Sequence, residues 1–138
     1  MDKQVVIDSS IALKWFIDEK DSSEARAIFQ RHIDEIISIF APYEIILEVI
    51  NALYYRADFD NRKLQTVVET LFQAELNFAS LNNSLALLTA EMMMKHNIAS
   101  YDALFIALSQ QLDSPLFTAD KKHHQKKYSK RIKYLDEI

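Results

Sequence analysis

Short apolar runs of strand length alternate along this chain with longer segments of helical periodicity. Gln4 to Ile7, Ile36 to Phe40, a weaker run at Leu76 to Ala79, and Pro115 to Thr118 read as strands, with Ile132 to Leu135 as a final edge strand. Ser9 and Ser10 read as caps of a helix through Phe16, and helical patterns cover Ser22 to Asp34, Tyr43 to Ala57, Arg62 to Ala74, Asn82 to His96 and Tyr101 to Leu112. Asp58 to Asn61 reads as a turn, and Ser100 as the cap of the last helix. Apolar strands separated by helices need cover on both faces. The expectation is therefore one α/β domain over 1–138, a three-layer α/β/α arrangement with a mainly parallel sheet of four to five strands.

Composition excludes several chemistries. The chain has no cysteine, so disulfides, thiolate zinc sites and cysteine nucleophiles are ruled out. It has no glycine, so neither a Walker-type loop nor a dinucleotide fingerprint can be built in its usual form. Any phosphate chemistry must then use side chains and metal. No segment approaches the roughly 20 apolar residues of a membrane span, and the expected location is the cytoplasm. The formal charge is −4, yet Lys121, Lys122, Lys126, Lys127, Lys130, Arg131 and Lys133 form a tract without an acid. The rest of the chain is correspondingly acidic.

The acids carry the chemistry. Asp8 follows Val5-Val6-Ile7, and Asp120 follows Leu116-Phe117-Thr118-Ala119, so both belong at the carboxyl edge of the sheet, where open α/β folds bind ligands. The plainer reading is that each caps the next helix. Glu44, Glu48, Asn51 and Tyr55 share one face of a helix that is apolar nearly all round and should be largely buried. That stripe faces either solvent or a site. Asp102 opens a core-like helix, where the dipole favours an acid. Four carboxylates brought together repel unless a cation neutralises them, which implies a divalent metal, Mg2+ or Mn2+ by its oxygen ligands.

Four short stretches, in order, resemble the motifs of PIN-domain ribonucleases of the VapC toxin kind. These are Val6-Ile7-Asp8-Ser9-Ser10; Pro42 through Glu48 with Asn51-Ala52-Leu53; Tyr101-Asp102-Ala103-Leu104 with Ala107-Leu108; and Thr118-Ala119-Asp120-Lys121. Where the resemblance leads one to expect glycine before the fourth strand, Leu112-Asp113-Ser114-Pro115 stands instead. The resemblance implies a metal-dependent endoribonuclease, the toxin of a type II toxin–antitoxin pair. Asp8 and Asp102 would be direct ligands, Asp120 would hold a second ion or position water, and Glu48 would bind through water or act as base. Ser10, Asn51 and Thr118 would orient the carboxylates.

RNA is the expected substrate, with Lys121 and Lys122 at the cleft rim and His123, His124 and Tyr128 interleaved to stack on bases. His32 and His96 read as isolated surface residues. Leu64, Val67, Val68, Leu71 and Phe72 form an apolar stripe explained mostly by core packing. The resemblance adds a homodimer and an antitoxin partner. Two alternatives stand: a non-catalytic RNA-binding or scaffold module, and a haloacid-dehalogenase-type phosphatase. The phosphatase would place a second Asp where this chain has Ser10.

Overall fold

The computed structural model describes residues 3–138. Strands β1 (Gln4–Ile7), β2 (Ser38–Pro42), β3 (Asn77–Ala79), β4 (Leu116–Thr118) and β5 (Ile132–Tyr134) form one sheet in the order β3-β2-β1-β4-β5. Every pairing is parallel. Helices α1 (Ser9–Leu13), α2 (Ser22–Ile33), α3 (Glu44–Tyr54), α4 (Asn61–Gln73), α5 (Asn83–His96) and α6 (Ser100–Leu112) flank it. The chain runs outward from β1 through β2 to β3, then returns to β4 on the other side of β1. Strand order therefore reverses between β1 and β4, where Ile7 pairs with Phe117. The loops leaving both strands open into one crevice.

Val6, Ile7, Ile39, Ala41 and Leu116 are fully buried in the sheet. Helix α6 is buried over seven consecutive residues, Ala103 to Ser109, and packs on α5 and on β1 and β2. Such a helix cannot move without disturbing the core, so its first turn is a rigid mount for Asp102. Helix α3 packs on α1 and α4. It is not buried all round: Ile45, Ile46, Val49 and Leu53 face inward, while Leu47 and Tyr54 are 65% and 64% exposed. The apolar surround seen in its sequence divides between a core face and an open one.

Several boundaries differ from expectation for local reasons. Strand β2 begins at Ser38, because Glu35 takes the left-handed conformation (φ 60°) and Ile36 and Ile37 complete the turn. Helix α6 is preceded by Ala99 and has no side-chain cap; Ser100 is its first residue. In a chain without glycine, left-handed positions fall to Asp21, Glu35, Glu75, Asn97 and Asp113. Asp113 (φ 49°) occupies the turn before β4 where glycine was expected. Asp tolerates the left-handed region better than most residues with a Cβ, and Arg131 pairs with its carboxylate at 2.7 Å. No described helix is long and apolar enough to cross a membrane.

Candidate active site

Asp8 leaves β1 at the strand-order reversal and is 3% exposed. As the residue preceding α1, it accepts hydrogen bonds on Oδ1 from the backbone N–H of Ser10 (3.1 Å) and Ile11 (3.4 Å), and from the Ser10 hydroxyl. Its Oδ2 accepts from the Thr118 hydroxyl and from His124 Nδ1 at 2.7 Å. Ser10 Oγ in turn accepts the Ala119 N–H (2.8 Å), and Thr118 Oγ1 accepts the Asp120 N–H (3.0 Å). These hydroxyls tie the ends of β1 and β4 together. Asn51 is exposed and lines a groove on α3.

Glu48 projects from α3 toward the same crevice. Its Oε1 accepts the Ser9 hydroxyl at 3.0 Å, while Oε2 is buried with no partner among the described residues. Burial raises its pKa from 4.5 to about 6; the Ser9 hydrogen bond opposes this, Asp8 and Asp102 add to it, and His124 opposes it weakly. Asp102, in the first turn of α6, is also held above its ordinary value. Burial is the main cause, partly offset by His124 and His123 and reinforced by Asp120 and Asp8. Asp120 goes the other way: burial would raise it, but the His123 backbone N–H (3.0 Å) and imidazole (2.8 Å), together with the charges of both histidines, bring it down. Asp8 and Asp102 thus act on Glu48, and Asp120 and Asp8 act on Asp102, across one crevice.

His124 was not anticipated in this place. Its backbone N–H closes a turn onto the Asp120 carbonyl (3.0 Å), which folds the ring back under the strand ends, where it is 3% exposed. Nδ1 meets Asp8 Oδ2 and Nε2 meets the backbone carbonyl of Asp102 (3.0 Å). The Asp102 carbonyl can only accept, so Nε2 carries hydrogen, and toward a carboxylate Nδ1 is a donor as well. Burial lowers its pKa, but the hydrogen bond and charge of Asp8, then the Asp102 carbonyl and carboxylate, outweigh this and hold it above the ordinary histidine value. The only sequence signal was a histidine four residues after a strand-end acid.

Other histidines and the basic tract also depart from expectation. His32 is half-buried, accepting the Ile39 N–H on Nδ1 (3.1 Å) and donating Nε2–H to the Ala74 carbonyl (2.9 Å). His96 is half-buried beside Tyr128, with ring centroids 5.1 Å apart, so neither His96 nor Tyr128 is a free surface ring. Lys121 pairs with Asp136 and lies over Tyr134, Lys126 pairs with Glu137, and Arg131 with Asp113. Lys122 is exposed; its backbone N–H donates to Asp120 (3.1 Å), and no carboxylate lies within ion-pair distance of its ammonium among the described residues.

The donor set suits a hard divalent cation: four carboxylates, two held above their ordinary pKa values and one with a buried oxygen that has no partner among the described residues. Among the described residues, however, no three acids or histidines are close enough to hold an ion as they stand. Both oxygens of Asp8 are engaged by protein donors.

Beside Glu48, the open face of α3 and the facing side of α4 form a groove of about 970 Å³. Leu47, Ile50, Tyr54, Leu64, Val68 and Tyr101 line it. The α4 stripe is accordingly divided: Val67 and Leu71 are core, Leu64 and Val68 reach the groove, and Phe72 is exposed.

No curated protein sequence matches the chain. Among solved structures, the sarcin–ricin-loop-cleaving toxin VapC20 of Mycobacterium tuberculosis shares the fold at a TM-score of 0.68 and 10% identity, with 86% of this chain and 92% of that one covered. DNA-bound VapBC from Salmonella typhimurium aligns at 0.71 and 12% identity over 98% and 99%. A toxin–antitoxin complex from Klebsiella pneumoniae aligns at 0.64 and 16% identity over 86% and 88%. At these identities the likeness is one of fold. The sequence itself matches the PIN domain family over residues 5–129, which include all four acids, and the chain belongs to that family.

Proposed function

We propose that this protein is a divalent-metal-dependent endoribonuclease and the toxin of a toxin–antitoxin pair. The observation that carries the reading is Glu48 coupled to Asp8 and Asp102, and Asp102 to Asp120, at the strand-order reversal, with a buried Glu48 oxygen that has no partner among the described residues. Asp8 and Asp102 would hold the ion, with Asp120 as a further ligand or water-orienting group. Bound Mg2+ or Mn2+ would supply charge neutralisation at the scissile phosphate. Glu48, with a pKa of about 6, is suited to take a proton from the attacking water near neutral pH. Ser10 and Thr118 keep Asp8 from rotating, so its carboxylate meets the substrate in one orientation. Lys122, without an ion-pair partner among the described residues, offers a cation to the RNA backbone next to Asp120.

The partner reading draws on two structural neighbours that are toxin–antitoxin assemblies. The groove beside Glu48 has the apolar lining that an amphipathic helix would fill, so an antitoxin seated there would lie against the catalytic crevice. A homodimer remains part of this proposal. The deciding experiment is cleavage of end-labelled RNA under titration with Mg2+ or Mn2+, comparing the wild type with Asp102→Asn. Metal-dependent internal cuts that vanish in the variant are expected. Metal-independent cutting, or full activity in the variant, would refute the mechanism. Binding of RNA without cleavage at any metal concentration would favour the non-catalytic module.

A further inference from the structure

We propose that His124 is a built-in occupant of Asp8 that a divalent ion must displace, and that this competition sets how tightly the site binds metal. The inference rests on the metal-dependent reading above and concerns a residue outside the four motif acids. Asp8 receives five hydrogen bonds. Two come from backbone N–H groups at the start of α1, and these cannot leave without unwinding the helix. The Ser10 and Thr118 hydroxyls are also tied to the backbone of Ala119 and Asp120, so they are braced by the strand end. His124 differs. It sits in a turn outside any helix or strand, between the exposed His123 and the half-buried Gln125, and its ring spans Asp8 and the Asp102 carbonyl. Among the donors to Asp8 it is the one outside any helix or strand.

Its location also fits the part. The ring lies between Asp8 and the first turn of α6, packed edge-on against Phe105 with centroids 6.0 Å apart. Its Nδ1 holds Asp8 Oδ2 at 2.7 Å, on the carboxylate that an ion would need. A divalent ion would claim the same group, so the ring and the ion compete for one carboxylate. Removing the ring leaves a buried carboxylate oxygen short of one donor, a costly state that a cation relieves. Two effects of opposite sign follow from one substitution: lower stability without metal and tighter metal binding.

The test uses the full chain with His124→Leu, which removes both donor and charge, and His124→Gln, which keeps a donor without the charge. Mn2+ binding is measured by calorimetry at one fixed pH, and thermal unfolding is followed with chelator and with Mn2+. We expect both variants to unfold at lower temperature in chelator. We expect His124→Leu to bind Mn2+ about tenfold or more tightly than wild type, with His124→Gln between them. If the Leu variant does not fold, the Gln variant answers alone. Equal Mn2+ affinity in wild type and variants would overturn the inference while leaving the metal site standing, as would weaker binding, which would make His124 a support for the ion. Absence of Mn2+ binding in every protein, wild type included, would overturn the metal reading along with it.

Discussion

Glu48→Gln isolates the electrostatic cost of assembling the acids. In the folded protein this carboxyl titrates at about 6 instead of 4.5, chiefly because burial disfavours its charge. A displacement of that size corresponds to roughly 2 kcal/mol between its protonation states. Glu48 keeps some contact with solvent, and screening reduces the contribution to about 1 kcal/mol. Because the folded-state value is raised, the stabilisation is fully present below pH 4.5 and is lost as pH rises through about 6. Glutamine has nothing to lose across that window, and its carbonyl can still accept the Ser9 hydroxyl. In chelator, the variant should match wild type near pH 4.5 and exceed it by about 1 kcal/mol near pH 7.5, or about 3 °C in melting temperature. Urea and thermal unfolding at a series of pH values read this directly. Parallel profiles for the two proteins, or a variant less stable at neutral pH, would refute the argument that Glu48 is ionised against its surroundings.

The remaining acids should respond in opposite directions. Asp102→Asn should raise metal-free stability at neutral pH, since its pKa is held up by burial, whereas Asp8→Asn should lower it by about 2 kcal/mol or more by unpairing His124; chelator melts of both variants test this. Leu47→Asp, on the open face of α3, should preserve fold and cleavage but abolish capture of a cognate antitoxin, measured by co-purification from co-expressing cells. Lys122→Ala should flatten the salt dependence of RNA binding by about 0.7 of a log–log unit, while Lys121→Ala, already committed to Asp136, should change it less; binding isotherms across a salt series compare them.

Much of this protein was legible along the chain because strand and helix periods are local. Val5 to Ile7 and Leu116 to Thr118 announce strands, and in a parallel sheet covered by helices their ends lie on one edge, which places Asp8 and Asp120 together. The buried run of α6 and the position of Asp102 in its first turn followed equally from its apolar residues. Local pattern could not say who pairs with whom across the sheet. His124 and Asp8 stand 116 residues apart and meet only because β4 returns beside β1. Lys121 looked free until the chain end brought Asp136 to it. The apolar face of α3 looked like core until α4 left part of it uncovered. Periodicity records which side of an element avoids water, because each residue's own chemistry dictates that. The neighbours that satisfy a charge or fill a groove are set by strand order and packing, so only the tertiary structure decided them.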